Sequence, residues 1–141
     1  EEVLEELRPL WSDKHQVLRT NFRAVSVRSN RPMLGQILHN LIENAIKYCP
    51  PESQIQVNWT EKDQFTVLKV ADNGPGVSGE HHARLFERFY RVQNGRATSG
   101  VSGTGLGLSI VKNSMLRMGG RIEVDSVPGR GTEFSCYFPK H

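Results

Sequence analysis

Asn40, Asn44, Lys47 and Tyr48 stand within one short run, His39 to Tyr48, that the hydrophobic pattern assigns to a helix. At about 100° per residue, Leu34, Leu38, Leu41, Ile42 and Ala45 make an apolar stripe. Asn40, Asn44 and Lys47 fall together on the opposite side, with Tyr48 at its margin. Two amides, an ammonium and a phenol ring form a set suited to holding a magnesium nucleotide. An ordinary amphipathic helix with a wet polar face accounts for the same pattern.

Further along, Asp72 sits where a strand ends and the glycine turn Asp72-Asn73-Gly74-Pro75-Gly76 begins. A carboxylate there can accept a hydrogen bond from an exocyclic amine such as that of adenine, and Gly74 and Gly76 let the backbone pass close to a flat ring. A plain Asx-turn explains the same residues. Gly103-Thr104-Gly105-Leu106-Gly107-Leu108 opens a helix, where bare backbone amides favour an anion and glycines admit phosphate. It is not a P-loop, since no Gly-Lys-Ser/Thr follows, and it is a poor dinucleotide fingerprint, since no strand precedes it. Phe86-Glu87-Arg88-Phe89-Tyr90-Arg91 offers Phe86 and Phe89 to the core and Arg91 to a phosphate. Gly129-Arg130-Gly131-Thr132 reads as a hairpin turn whose Thr132 hydroxyl can also reach a ligand. The adjacent His81 and His82 diverge by about 100° on a helix and do not chelate one ion, so they read as solvated surface residues. Trp11 and Trp59 read as packing residues.

These groups need elements to position them. Glu1 to about Asp13 reads as a helix with Val3, Leu4, Leu7 and Leu10 inward, followed by short strands at about Gln16 to Phe22 and Val25 to Val27. Asn30 caps a long helix to Tyr48, stopped by Pro50-Pro51. Ile55–Thr60 and Phe65–Ala71 alternate as two antiparallel strands around a turn at Glu61 to Gln64. About Gly79 to Phe89 reads as a short helix. Gln93 to Thr104 lacks a core pattern, is rich in Gly, Ser and Thr, and has the length of a functional loop. Leu106 to Met118 is a helix closed by Gly119-Gly120, and Ile122 to Ser126 and Glu133 to Phe138 are the last strands. Helices with an antiparallel-leaning sheet indicate a two-layer α/β or α+β sandwich.

With 141 residues, 37% hydrophobic and 23% charged, the chain suits one globular domain with a single core. The net charge of +3 is small and the basic residues are scattered, which excludes a nucleic-acid stripe. Cys49 and Cys136 are far apart and form no C-x-x-C pair, so free thiols in a reducing cytosol are expected rather than a zinc or disulfide framework. No apolar run approaches a membrane span and no signal peptide is seen. The start at Glu1, inside a helix-like pattern, is expected of a piece of a longer protein.

Taken in order, Asn40-Leu-Ile-Glu-Asn44-Ala-Ile-Lys47-Tyr48, Asp72-Asn-Gly-Pro-Gly76, Phe86-Glu-Arg-Phe-Tyr-Arg91, Gly103-Thr-Gly-Leu-Gly107-Leu and Gly129-Arg-Gly131-Thr132 resemble the N, G1, F, G2 and G3 boxes of the catalytic and ATP-binding domain of bacterial-type sensor histidine kinases. The likeness runs over nearly the whole chain. It implies a Bergerat (GHKL) fold: a two-layer α/β sandwich whose mixed, mostly antiparallel sheet of about five strands carries three main helices on one face, with a flexible ATP lid at Gln93 to Thr104. It implies Asn44 as magnesium ligand, Asn40 supporting metal and phosphates, Lys47 at a terminal phosphate and Tyr48 packed on the nucleoside. Asp72 would read the adenine amine beside Gly74, Gly76 and Thr132. Gly103, Thr104, Gly105, Leu106 and Gly107 would meet phosphate, and Arg91 the transferring γ-phosphoryl group. Catalysis would rest on positioning and charge neutralisation by Asn44, Lys47 and Arg91.

The phosphoacceptor histidine of that family lies in a separate dimerisation segment, and none of His15, His39, His81, His82 or His141 has its sequence context. The expected partners are therefore the parent's own dimerisation domain and a response-regulator receiver domain, with no nucleic acid and no direct membrane contact. The fragment is expected to be a cytoplasmic monomer that binds Mg-ATP without efficient autophosphorylation, and the parent a homodimer, as in inner-membrane sensors. Two other classes share the pattern. ATPases of the same fold carry a water-activating glutamate four residues before the magnesium asparagine; here that position is Asn40, and Glu43 is turned about 100° from Asn44. A non-catalytic nucleotide sensor would show decayed boxes, and all five look intact.

Overall fold

The computed structural model describes residues 2–21, 31–87, 92–93, 96–97 and 107–140. Its sheet is built around one hairpin. β2 (Gln54–Lys62) and β3 (Phe65–Asp72) run antiparallel through a tight turn at Asp63–Gln64, with Lys62 opposite Phe65. β7 (Gly131–Pro139) pairs antiparallel with the other side of β3, and β6 (Arg121–Val127) with β7. β1 (Val17–Asn21) lies parallel to β2, giving a mixed five-stranded sheet in the order β1-β2-β3-β7-β6.

Period-two alternation sends Ile55, Val57, Trp59, Leu68, Val70, Phe134, Cys136 and Phe138 to one face, where they meet all three helices in a single core. α1 (Glu2–Asp13) contributes Leu7, α2 (Arg31–Tyr48) contributes Ile37, Leu41, Ile42, Ala45 and Ile46, and α3 (Gly107–Arg117) contributes Val111 and Met115. Trp59 packs on Phe138 with ring centroids 5.6 Å apart, and Phe86 meets Phe134 edge-on at 6.2 Å. The expected two-layer sandwich with three helices on one face is the fold observed. Among the described residues no helix is long and apolar enough to cross a membrane.

Several details differ from the sequence reading. Leu10 is 42% exposed, because α1 has one helical neighbour and only the narrow stripe Leu4, Leu7, Trp11 turns toward it. The segment from Gly79 is a 3-10 helix ending at Arg84, not a helix to Phe89. Val92–Gln93 (β4) and Arg96–Ala97 (β5) pair as a small antiparallel ladder that starts just before the stretch from Gln93 to Thr104 and extends into it. α3 closes in a Schellman motif, Gly120 N–H donating to the Met115 carbonyl at 2.9 Å and Gly119 N–H to that of Leu116 at 3.1 Å. The strand read at Val25 to Val27, the Asn30 cap and Phe89 lie outside the described residues.

Candidate functional site

Strand register builds the floor of the site. Asp72 stands opposite Thr132, and Thr132 opposite Ser126. The row above is Val70, Phe134 and Val124, so the three polar side chains share the helix-facing side of the sheet at the end of its apolar rows. Asp72 Oδ1 accepts the backbone N–H of Gly74 at 2.9 Å and that of Thr132 at 3.3 Å. Ser126 is a buried hub. Its Oγ accepts the Val77 N–H at 2.7 Å, donates to the Gly131 carbonyl at 2.9 Å and lies 2.8 Å from Thr132 Oγ1.

Two glycine turns close round this floor. Gly129 N–H donates to the Pro75 carbonyl at 2.7 Å. A Cβ on Gly76 would collide with the Val127 carbonyl, and one on Gly131, which has φ +121°, with the Asp72 carbonyl. The turns at 74–76 and 127–131 therefore touch backbone to backbone, which only glycine allows. Asn73 fixes the turn from its other side, its Oδ1 accepting the Gln54 N–H at 2.7 Å while its own N–H reaches the Gln54 carbonyl at 3.2 Å.

The C-terminal end of α2 stands beside Asp72. Its last carbonyls have no intrahelical donors, and the α1–β1 connection supplies them. Lys14 Nζ donates to the carbonyls of Ile46 at 2.7 Å and Cys49 at 2.6 Å, and the buried Gln16 Nε2 to the same two at 3.2 and 3.1 Å. A cation and an amide there also complement the negative helix end. On α2 the buried arc is wider than the expected stripe, because Ile37 and Ile46 are buried too. Asn40 and Asn44 consequently sit half-buried at the edge of that arc rather than at a fully wet pole, while Lys47 and Tyr48 are exposed. A Cβ on Gly107, the first residue of α3, would lie 3.4 Å from Asn40 Oδ1, so that amide abuts the helix opening. Lys47 Nζ lies 3.2 Å from Glu43 Oε1, and His39 Nε2 lies 3.8 Å from Glu43 Oε2.

The described candidates thus group at two places. Asp72, Gly74, Gly76 and Thr132 form the floor, and Asn40, Asn44, Lys47 and Tyr48 lie along the second half of α2, with Gly107 at the start of α3 against Asn40. Arg91, Gly103, Thr104, Gly105 and Leu106 lie outside the described residues. His81 corrects the sequence reading: it is buried, 3.4 Å from Glu80, because the 3-10 segment turns it inward, while His82 Nε2 lies 3.0 Å from the Val77 carbonyl. Among the described residues no cluster of His, Cys, Asp and Glu could hold a metal ion.

Ser126 and Cys49 are constituents that the motifs did not supply. Ser126 carries its signal in strand alternation, as an inward-facing hydroxyl. Cys49 directly follows Tyr48, yet a cysteine weighed only for zinc or disulfides is passed over. Cys49 carries weight in the electrostatics of the floor. Burial raises the Asp72 carboxyl above the ordinary range, and the Gly74 N–H, the Cys49 thiol and the Thr132 N–H oppose that rise. Burial first, then the Asp72 charge and the hydrogen bond to it, push the Cys49 thiol up to about 12. Such a floor can accept a proton donor from a flat ligand and offers it no ionised thiol.

Comparison with known proteins places this geometry. Residues 29–141 match the family described as histidine kinase-, DNA gyrase B-, and HSP90-like ATPase. The chain is 43% identical over 124 residues to the phosphate regulon sensor protein PhoR of Pseudomonas aeruginosa, covering 88% of this chain and 28% of that protein. It is 41% identical over 107 residues to the sensor protein SrrB of Staphylococcus aureus, covering 76% of this chain and 18% of that protein. Among solved structures, a mycobacterial sensor histidine kinase, MprB, superposes with a TM-score of 0.82 at 30% identity, covering 98% of this chain and 91% of that one. The full-length ShkA complex with AMPPNP gives 0.82 at 29% identity, covering 98% of this chain and 28% of that one.

Proposed function

The chain belongs to the histidine kinase-, DNA gyrase B- and HSP90-like ATPase family, and from that premise we propose that it is the ATP-binding domain of a sensor histidine kinase, donating the γ-phosphoryl group to a histidine on a separate dimerisation domain. From there the phosphoryl group passes to an aspartate of a response-regulator receiver domain. The observation that carries the reading is the Asp72 carboxylate, half-buried and held by the N–H groups of Gly74 and Thr132. A carboxylate so held presents acceptors only, which suits the exocyclic amine of adenine. Gly76 and Thr132 line the same floor, and Tyr48 is available to the nucleoside.

The donor set fits magnesium carried in with the nucleotide. Asn44 offers a hard amide oxygen, and no acidic cluster among the described residues would bind the cation alone. Asn40 supports Asn44 from one turn earlier, beside the opening of α3. Bound ATP supplies the transferable phosphoryl group and magnesium neutralises its charge. Lys47 meets a terminal phosphate, exchanging its Glu43 partner for it. Gly103, Thr104, Gly105, Leu106 and Gly107 give backbone N–H groups to the phosphates, and Arg91 stabilises the transferring group. The domain works in the cytoplasm as a monomer when isolated, within a homodimeric parent that can be an inner-membrane sensor.

Calorimetric titration tests the reading directly. Mg-ATP is expected to bind, and Asn44→Ala to abolish the magnesium dependence of that binding. With radiolabelled ATP, label is expected on an added dimerisation domain and not on the fragment alone. Stoichiometric labelling of the fragment, or unchanged Mg-ATP affinity in Asn44→Ala, would overturn it.

A further inference from the structure

Cys49 is fixed at its backbone from both sides. Its N–H donates to the Ala45 carbonyl at 3.0 Å, and its own carbonyl accepts Lys14 Nζ at 2.6 Å and Gln16 Nε2 at 3.1 Å. The side chain has correspondingly little freedom and is 2% exposed. It lies over Gly74 so closely that a Cβ on that glycine would come within 2.6 Å of Cys49 Sγ. The bare Cα of Gly74 leaves the room that the sulfur fills. The same added Cβ would lie 3.1 Å from Asp72 Oδ1, so the thiol and the carboxylate flank one point, and burial beside that charge keeps the thiol protonated.

Asp72 therefore stands among three separate segments: the turn after β3 and β7, which each give it an N–H, and the end of α2, which brings the thiol beside it. The two N–H groups go to Oδ1. A hydrogen bond from the thiol would add a third direction and resist rotation of the carboxylate about its last bond. The charged or titratable groups facing this pair, among the described residues, are Cys49 and Asp72 themselves and the Lys14 ammonium.

We infer that Cys49 is a positioning residue for base recognition: its S–H holds the Asp72 carboxylate so that the remaining lone pairs face an amine-bearing purine, and it ties the helix of Asn44 and Lys47 to the floor that reads the base. The inference deepens the reading of Asp72 as the group that recognises adenine and rests on it. A thiol is a weak donor, so the effect is modest in energy and directional in kind. Guanine presents a carbonyl where adenine presents its amine, so a carboxylate that cannot turn rejects it through acceptor facing acceptor.

The test uses the 141-residue chain with Cys49→Val, near in shape and without a donor, and Cys49→Ser, which keeps one. Cys49→Ala serves as a second variant without a donor if the branched side chain prevents folding. The carboxyl titration of Asp72 is followed by carbon-detected NMR without nucleotide, and ATP and GTP affinities by calorimetry across pH. Loss of the thiol is expected to raise the Asp72 midpoint, to weaken ATP about three- to tenfold, to shift the loss of ATP binding to higher pH and to narrow the ATP-over-GTP preference. Cys49→Ser is expected to restore all four. An unmoved Asp72 midpoint, or a moved midpoint with unchanged ATP affinity, would overturn the inference. Failure of the unsubstituted chain to bind ATP would instead overturn the functional reading, while the nucleotide-free titration still decides the Cys49 contact.

Discussion

The carboxylate of Asp72 accepts the backbone N–H of Thr132, sixty positions further along the chain, at 3.3 Å. That bond is a by-product of sheet register, since the two residues are direct partners between β3 and β7. It places an acceptor at the end of an apolar row, where neither strand alone would hold it.

Burial of Asp72 separates its value to function from its value to stability. The folded chain holds this carboxyl above its ordinary pKa, so ionised Asp72 costs stability at neutral pH. Asp72→Asn keeps an oxygen for the Gly74 and Thr132 N–H groups and removes the buried charge. The expected result is a melting temperature no lower than that of the unsubstituted chain, with ATP affinity reduced about tenfold or more. Thermal melts and calorimetry on the same samples check both halves.

The same shift gives opposite pH trends for binding and for folding. A raised carboxyl pKa means that the penalty of the buried charge is fully present above the folded pKa and is relieved as pH falls through it. Protonation over that window also occupies an oxygen that would accept the adenine amine. As pH falls from neutral toward the upper edge of the carboxylate range, the contribution of Asp72 to ATP affinity is expected to fall while its contribution to stability rises. Affinity measured against pH, with Asp72→Asn as the flat reference, checks the sign.

Gly131 permits the contact between the turns. Its φ of +121° and the adjacent Asp72 carbonyl leave no room for a Cβ. Gly131→Ala is expected to destabilise the fold by roughly 2–4 kcal/mol and to abolish nucleotide binding. Gly129→Ala serves as the comparison: that residue has φ +83° but open space around it, and its cost is expected to be smaller. Urea denaturation of the two variants gives the difference.

Glu43 distinguishes phosphoryl donation from ATP hydrolysis. It is engaged by Lys47 at 3.2 Å and by His39 at 3.8 Å, on a half-exposed flank of α2. Glu43→Gln is expected to change stability by less than about 0.5 kcal/mol and to leave ATP affinity equal or tighter, since Lys47 is released for phosphate. Fast turnover in the unsubstituted chain that vanishes in Glu43→Gln would assign Glu43 as a water-activating base instead.

Most of the fold was legible because its signals are periodic. The alternation in Ile55–Thr60 and Phe65–Ala71 gave the central hairpin, and Gly119-Gly120 gave the stop of α3. The failures have local physical causes. Leu10 obeys helical spacing, but only one helix packs against α1. α-helical pitch puts His81 at the surface, whereas the tighter 3-10 geometry of its segment turns it inward. The floor of the site was legible at Asp72 and Thr132 as separate motifs. Their shared row with Ser126 was not, because register between strands sixty residues apart leaves no trace in spacing. Cys49 was hidden for a related reason: its place over Gly74 is fixed by the cap that Lys14 and Gln16 put on its carbonyl at the end of α2, a contact made across more than thirty residues.

The position of β7 in the chain order has a consequence for biosynthesis. β3 lies at the centre of the sheet, yet one of its neighbours is the seventh strand in sequence. As the chain leaves the ribosome, the β2–β3 hairpin and α2 can assemble early. Asp72 then waits, without its Thr132 donor and with one edge of β3 unpaired, until β7 has been made. A nascent chain stalled before Gly131 would carry a hairpin with an exposed edge and no nucleotide to stabilise it, the form in which this domain is most open to aggregation.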